Sequence, residues 1–214
     1  MTRGTWKRRI GMTAVATAAV TAMAVPVGAQ AAPAGGTSTV ATATVGAAAA
    51  DVDYATWQAD CRAVMNEALP YLKQRIAATE PGEKQAIVLD IDNTSLETDY
   101  GFSYPQPANK PVLDVARYAQ DHGVALFFVT ARPGIISGVT DFNLKYAGYK
   151  VAGLHVRGLF DFFKTVDAYK TAQRVKIESK GYTIIANIGN STTDLSGGHA
   201  EKTYKLPDYD GQLS

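Results

Sequence analysis

Ile87-Val88-Leu89-Asp90-Ile91-Asp92-Asn93-Thr94 decides how this chain folds. Ala86 to Leu89 is short and wholly apolar, as a strand covered on both faces is. Two aspartates one residue apart follow it, then a threonine. With the apolar run as a strand and the rest as a loop, both carboxylates stand at the rim of a sheet. There one can attack as a nucleophile and the other can move a proton, and the two are close enough to share a cation. Asp-x-Asp-x-Thr alone is a weak signal, because acidic turns after strands are common. Its meaning depends on what the other strand ends carry.

Outward from this run, apolar strands alternate with helices. On the N-terminal side, Trp57, Cys61, Val64, Met65, Ala68, Leu69, Leu72 and Ile76 have helical spacing within Tyr54–Ala78. Pro70 is expected to kink or split that helix. On the C-terminal side, Tyr100–Pro111 holds three prolines and reads as a loop. A helix is expected from Val112 to Asp121, with Pro111 at its start and Gly123 just past its end. Val124–Val129 reads as a second buried strand, Ile135–Tyr146 as a helix closed by Gly148, and Val151–Val156 as a weaker third strand. Thr165–Lys180 reads as a helix with Gly181 after it, and Thr183–Ile188 as a fourth strand. A short helix is expected after Ser191, and Thr203–Leu206 reads as an edge strand. The pattern predicts an α/β fold: a Rossmann-like, mostly parallel sheet with helices on both faces. In such sheets ligands bind beyond the carboxyl ends of the strands.

The N-terminal segment has a different character. Arg3, Lys7, Arg8 and Arg9 precede an Ala/Val/Thr/Met run, and Ala29-Gln30-Ala31 offers a small-residue cleavage site. Residues 1–31 therefore read as a secretory signal peptide, which predicts a secreted protein with no membrane attachment after cleavage. Residues 32–52 are rich in Ala, Thr and Gly and read as a flexible leader, so the folded domain is expected over 53–214. Without the four basic residues of the signal, seventeen Lys and Arg face twenty Asp and Glu, a net charge near −3. That balance argues against nucleic acid as a bulk electrostatic partner. Cys61 is the only cysteine, so no intrachain disulfide is possible.

Three strand ends carry chemistry. The first bears Asp90 and Asp92, the second Thr130 and Arg132, and the fourth Gly189-Asn190-Ser191-Thr192-Thr193-Asp194. Lys170 lies in the helix before the fourth strand. Intervals of 40 residues from Asp90 to Thr130, 40 to Lys170 and 24 to Asp194 each suit one crossover unit. The topology would crowd Asp90, Asp92 and Asp194 together, and three carboxylates need compensation from Lys170 and a cation. Oxygen donors of this kind suit Mg²⁺. Thr130 and backbone N–H groups can hold phosphoryl oxygens.

These residues resemble the haloacid dehalogenase (HAD) superfamily, and within it secreted acid phosphatases of the class B and plant vegetative-storage-protein type, subfamily IIIB. Asp90-Ile91-Asp92-Asn93-Thr94, Phe128-Val129-Thr130-Ala131-Arg132, Tyr169-Lys170-Thr171-x-x-Arg174 and Gly189-Asn190-x-x-x-Asp194 match its four motifs in order. The resemblance implies a HAD core with a small cap at about 96–111. It implies hydrolysis of small phosphomonoesters through an aspartyl-phosphate on Asp90, with Asp92 as acid and base. Thr130 and Lys170 would orient the phosphoryl group, and Arg132 would contact phosphate or pair with a carboxylate. Mg²⁺ would be held by Asp90, the Asp92 carbonyl, Asn190 and Asp194. Asn190 stands where the family usually has Asp, so one negative charge is missing. Weaker metal binding is one expectation; a catalytically weakened phosphate-binding or storage-type protein is the alternative reading. Phosphoryl transfer to an alcohol stays open, and so does the oligomeric state. Tyr100, Phe102 and Tyr104 are either a cap over the leaving group or loop anchors.

Overall fold

The computed structural model describes residues 52–100 and 103–213. The expected signal peptide and, but for Val52, the leader lie outside these residues, as do Gly101 and Phe102 of the cap region. Five strands form one parallel sheet: β1 (Lys84–Leu89), β2 (Ala125–Pro133), β3 (Val151–Arg157), β4 (Tyr182–Gly189) and β5 (Thr203–Lys205), in the order β3-β2-β1-β4-β5. The helices are α1 (Tyr54–Ala77), α2 (Lys110–Asp121), α3 (Ser137–Ala147), α4 (Val166–Glu178) and α5 (Thr192–Leu195). No described helix is long and apolar enough to cross a membrane.

Because strand side chains alternate, each central strand feeds two cores. Ile87 and Leu89 of β1, with Leu126 and Phe128 of β2, pack with Trp57, Cys61 and Leu72 of α1, Val112 and Ala116 of α2, and Leu144 of α3. Ala86, Val88, Phe127 and Val129 point the other way, into a smaller cluster with Tyr169 and Ile177 of α4. Two-sided burial accounts for the unbroken apolar runs of β1 and β2, where alternation would have meant one wet face.

Of the kink or split expected at Pro70, the split does not occur: α1 runs from Tyr54 to Ala77 as one helix. Pro70 and Asn66, whose carbonyl loses its partner, are both exposed, so water can satisfy that oxygen. The buried stripe Trp57, Cys61, Met65, Ala68, Leu72 and Ile76 holds the helix on the sheet across the gap. A second departure lies between β3 and α4. Residues Leu159–Phe163 form a 3₁₀ turn whose Leu159, Phe160 and Phe163 are 77, 81 and 87% exposed, where an apolar run would ordinarily be buried.

The topology reverses beside β1. The chain leaves β1 for β2 and β3 on one side, then returns to β4 on the other. The loops after β1 and β4 therefore diverge, and a crevice opens between them.

Candidate active site

Asp90 follows the last residue of β1, and its N–H donates to the Ile188 carbonyl of β4 at 3.0 Å. That bond holds the Asp90 backbone at the crevice. Asn93, in the turn that follows, is left-handed (φ 50°), a conformation asparagine tolerates better than most residues. On the other side, Gly189 ends β4. A β-carbon there would stand 2.4 Å from the Asp194 side chain, so glycine is what allows Asp194 to close on the sheet. The Asp194 carboxylate accepts from the Ser191 N–H at 2.8 Å, capping the one-turn α5.

Lys170 reaches up from α4 between the two acids. Its Nζ donates to Asp90 Oδ1 at 2.6 Å and also to Asp194 Oδ1. All three side chains are 7% exposed or less. One ammonium cannot neutralise two buried carboxylates. Burial pushes the Asp90 carboxyl up to about 7; Lys170 opposes this, and the charge of Asp194 adds to it. Burial alone would lower Lys170, but the two carboxylates outweigh it, so its pKa is raised and the ammonium stays charged. Arg174, buried one turn further along α4, donates to the Asp194 carbonyl at 2.6 Å, to the Gly198 carbonyl at 2.9 Å, and to the Ser196 carbonyl. It knits the loop after α5 to the helix that carries Lys170.

Asp92 lies on the opposite wall. Its carboxylate faces Arg132 of β2, which donates from Nη2 at 2.7 Å and from Nε at 3.1 and 3.2 Å. Thr98 also donates to it at 2.9 Å, and Arg132 donates to Gln106 Oε1 at 2.9 Å. Gln106 is in turn held by Asn143 of α3 through two backbone bonds, at 2.7 and 2.9 Å. Thr98, Gln106 and Asn143 were not among the residues the motifs pointed to. They belong to the cap loop and to α3, and side-chain reach across the fold is not written in local spacing. The anticipated crowding of three carboxylates is thereby corrected: two of them share Lys170, and the third is taken by Arg132.

Asp90, Asp92, Lys170, Asn190 and Asp194 line one cleft of about 370 Å³, together with Asp99. Arg132 lines the adjoining groove with Tyr104 and Thr98. Thr130 is fully buried at the rim, and its hydroxyl oxygen accepts from the Arg132 N–H at 3.2 Å; Ala131 is the β2 residue that lines the cleft. Tyr100 is an anchor: it stacks on Trp57 with ring centres 4.6 Å apart and bonds the Val52 carbonyl. Tyr104 is 59% exposed.

Among the described residues, no three His, Cys, Asp or Glu side chains group as a metal site by themselves. With the Asp92 carboxylate turned to Arg132, the donors left are the Asp90 and Asp194 carboxylates, the Asp92 carbonyl and the Asn190 amide oxygen. All are hard oxygens, and the unbalanced Asp90–Asp194 pair favours a cation, so the set suits a hard divalent metal ion.

The fold and the motif order define an α/β protein of the HAD type, and comparison with known proteins gives the family. The model of HAD superfamily subfamily IIIB (acid phosphatase) matches residues 7–106 and 102–212. The chain belongs to that family. Among curated proteins it is similar to the Stem 28 kDa and Stem 31 kDa glycoproteins of Glycine max, each 37% identical over 89 residues. Those matches cover 40% of this chain but only 35% and 31% of the two relatives. Among solved structures, the class C acid phosphatase from Bacillus anthracis superposes with a TM-score of 0.58 at 19% identity, over 73% of this chain and 80% of that one. Its tungstate-bound form gives a TM-score of 0.56 at 18% identity, with the same coverage. At that identity the likeness is one of fold.

Proposed function

We propose that this protein is a secreted, Mg²⁺-dependent phosphomonoesterase that works through an aspartyl-phosphate on Asp90. The observation that carries the reading is the Asp90–Lys170–Asp194 triplet: a carboxylate fixed at 2.6 Å by a buried ammonium, at the mouth of a cleft at the topological switch point. Lys170 holds Asp90 in one orientation, which shortens the search for an in-line attack. An Asp90 oxygen bonds to phosphorus while the bond from phosphorus to the ester oxygen breaks. Asp92, two residues on, gives its proton to the departing alkoxide and then takes one from the incoming water. The water oxygen bonds to phosphorus, the bond to Asp90 breaks, and inorganic phosphate leaves. Mg²⁺, held by Asp90, the Asp92 carbonyl, Asn190 and Asp194, would supply positive charge to the phosphoryl oxygens. Thr130 holds Arg132 in place from the rim, and Arg132 holds Asp92. With Mg²⁺ bound, which would keep Asp90 ionised as a nucleophile must be, an acidic optimum is expected from the need for Asp92 to carry a proton when the leaving group departs. Secretion is part of the proposal on the strength of residues 1–31.

Hydrolysis of p-nitrophenyl phosphate after chelation and after Mg²⁺ addition tests the proposal, with an acid-quench trap for protein-bound phosphate. Metal-stimulated turnover and a trapped phosphoenzyme absent from Asp90→Asn are the expected outcome. Turnover that survives Asp90→Asn would sink it. A second reading is favoured by Asn190, whose amide stands where the family usually has a carboxylate. In that reading the protein binds phosphate and turns it over poorly, and calorimetry with inorganic phosphate would show binding without hydrolysis.

A further inference from the structure

Asn190 has a partner that its motif does not predict. Its Nδ2 donates to the Leu213 carbonyl at 2.5 Å, and Asn93 Nδ2 donates to the same oxygen at 3.0 Å. An amide has a donor end and an acceptor end, so committing the nitrogen fixes where the oxygen points. With Nδ2 on Leu213, Asn190 Oδ1 faces the other way and accepts from the buried Thr94 hydroxyl at 3.2 Å, and Asn190 itself is one of the residues that line the cleft. Asn93 is fixed in the same manner, with its Oδ1 accepting from the Asp99 N–H at 3.0 Å.

The segment that delivers this carbonyl is tied down along its length. Leu206 is fully buried, and its N–H donates to the Gly189 carbonyl at 2.9 Å. Lys205 pairs with Asp208 at 2.9 Å and also donates to the Asn190 carbonyl. The Tyr209 hydroxyl donates to Asp60 of α1 at 2.7 Å. Tyr209, Asp210 and Gly211 are all left-handed, and the tight turn they make lets the Leu213 N–H reach the Asp208 carbonyl at 3.1 Å. Leu213 itself is 7% exposed in the main core.

We infer that the segment Asp208–Leu213 is a working part of the cleft: the Leu213 carbonyl positions the Asn190 amide so that a neutral oxygen takes the place of the usual carboxylate. The inference deepens the metal-binding reading above and rests on it. It also accounts for the asparagine. A carboxylate at 190 would set an acceptor against the Leu213 carbonyl, with no proton between them, and would push the segment away. A carboxylate has two equivalent oxygens, so it needs no such orientation. Asn190 and the seated segment therefore belong together, with Asn93 as the second anchor.

The test uses the full chain and four variants: Asn93→Ala, Asn190→Asp, Leu213→Ala, and the last two combined. Hydrogen exchange without metal is read first. Asn93→Ala and Asn190→Asp should each speed exchange of the Gly211, Gln212 and Leu213 amides about tenfold, with the β1 amides unchanged. Mg²⁺ affinity by calorimetry is read second. Leu213→Ala should weaken binding about tenfold, the low end of the loss when a ligand's partner is removed, and should have no effect in the Asn190→Asp background. Unchanged exchange at 211–213 would overturn the inference. So would equal weakening in both backgrounds, or no Mg²⁺ binding by the parent. Neither readout needs turnover, so a protein that shows both patterns and hydrolyses nothing would fail the mechanism while keeping this assignment.

Discussion

Two acid–base clusters flank the cleft and differ mainly in water. On one wall, Asp90 and Asp194 share Lys170, with side chains 7, 3 and 5% exposed. On the other, Asp92 pairs with Arg132 and its side chain is 38% exposed. The dry cluster is rigid, because both buried carboxylates are held on the one ammonium and losing that partner would be costly. The wet pair is bidentate yet can part, because water reaches the Asp92 carboxylate. The difference matches the proposed roles. A nucleophile must stay in one place, so it belongs with the buried lysine. A proton carrier must gain and lose charge, so it belongs where its partner can let go.

The sharpest way to break the comparison is Asp90→Asn. Removing the proposed nucleophile should cut turnover by at least about a thousandfold, measured with p-nitrophenyl phosphate at saturating Mg²⁺. Lys170→Met comes next. It leaves two buried carboxylates facing each other and should cost about 3–5 kcal/mol of stability in urea titrations, as removal of one partner of a buried pair does. A pH series follows. The Asp90 carboxyl is pushed up to about 7 in the folded protein, against 3.8 ordinarily, so the folded state binds more protons between those values. Its contribution to the stability of the metal-free protein is fully present below about pH 4 and is lost as pH rises through about 7. Urea midpoints of the parent should therefore fall relative to Asp90→Asn over that window, and a constant difference would contradict the buried-pair description. The smallest effect is expected on the wet wall. Arg132→Ala should lower kcat about tenfold, less than the hundredfold or more that a well-placed proton donor contributes. Arg132→Lys should restore only part of it, because lysine cannot make the bidentate contact.

The dry wall was legible in the sequence, and the wet wall only in part. Asp90 follows an apolar run and Lys170 stands at one crossover interval, so backbone topology alone brings them to one edge. Glycine before Asn190 was readable as part of a motif, and the structure gives its physical reason in the close approach of Asp194. Arg132 was legible as a residue near phosphate or near a carboxylate. That the carboxylate is Asp92 depends on side-chain reach and on Gln106, which Asn143 fixes from another helix. The Leu213 contribution had no signal to find, because a backbone carbonyl carries no residue type. Pro70 shows the opposite case: the split that its local rule allows is overcome by a buried stripe that spans it.

Cys61 gives the molecule its own clock. The thiol is fully enclosed under α1 and accepts from Asn109 Nδ2 at 3.4 Å, and burial pushes its pKa up to about 11. A maleimide reagent meets no thiolate there while the helix is seated. Sulfur modification therefore records each lifting of α1 from the sheet, and its rate under native conditions times that excursion without any engineered label.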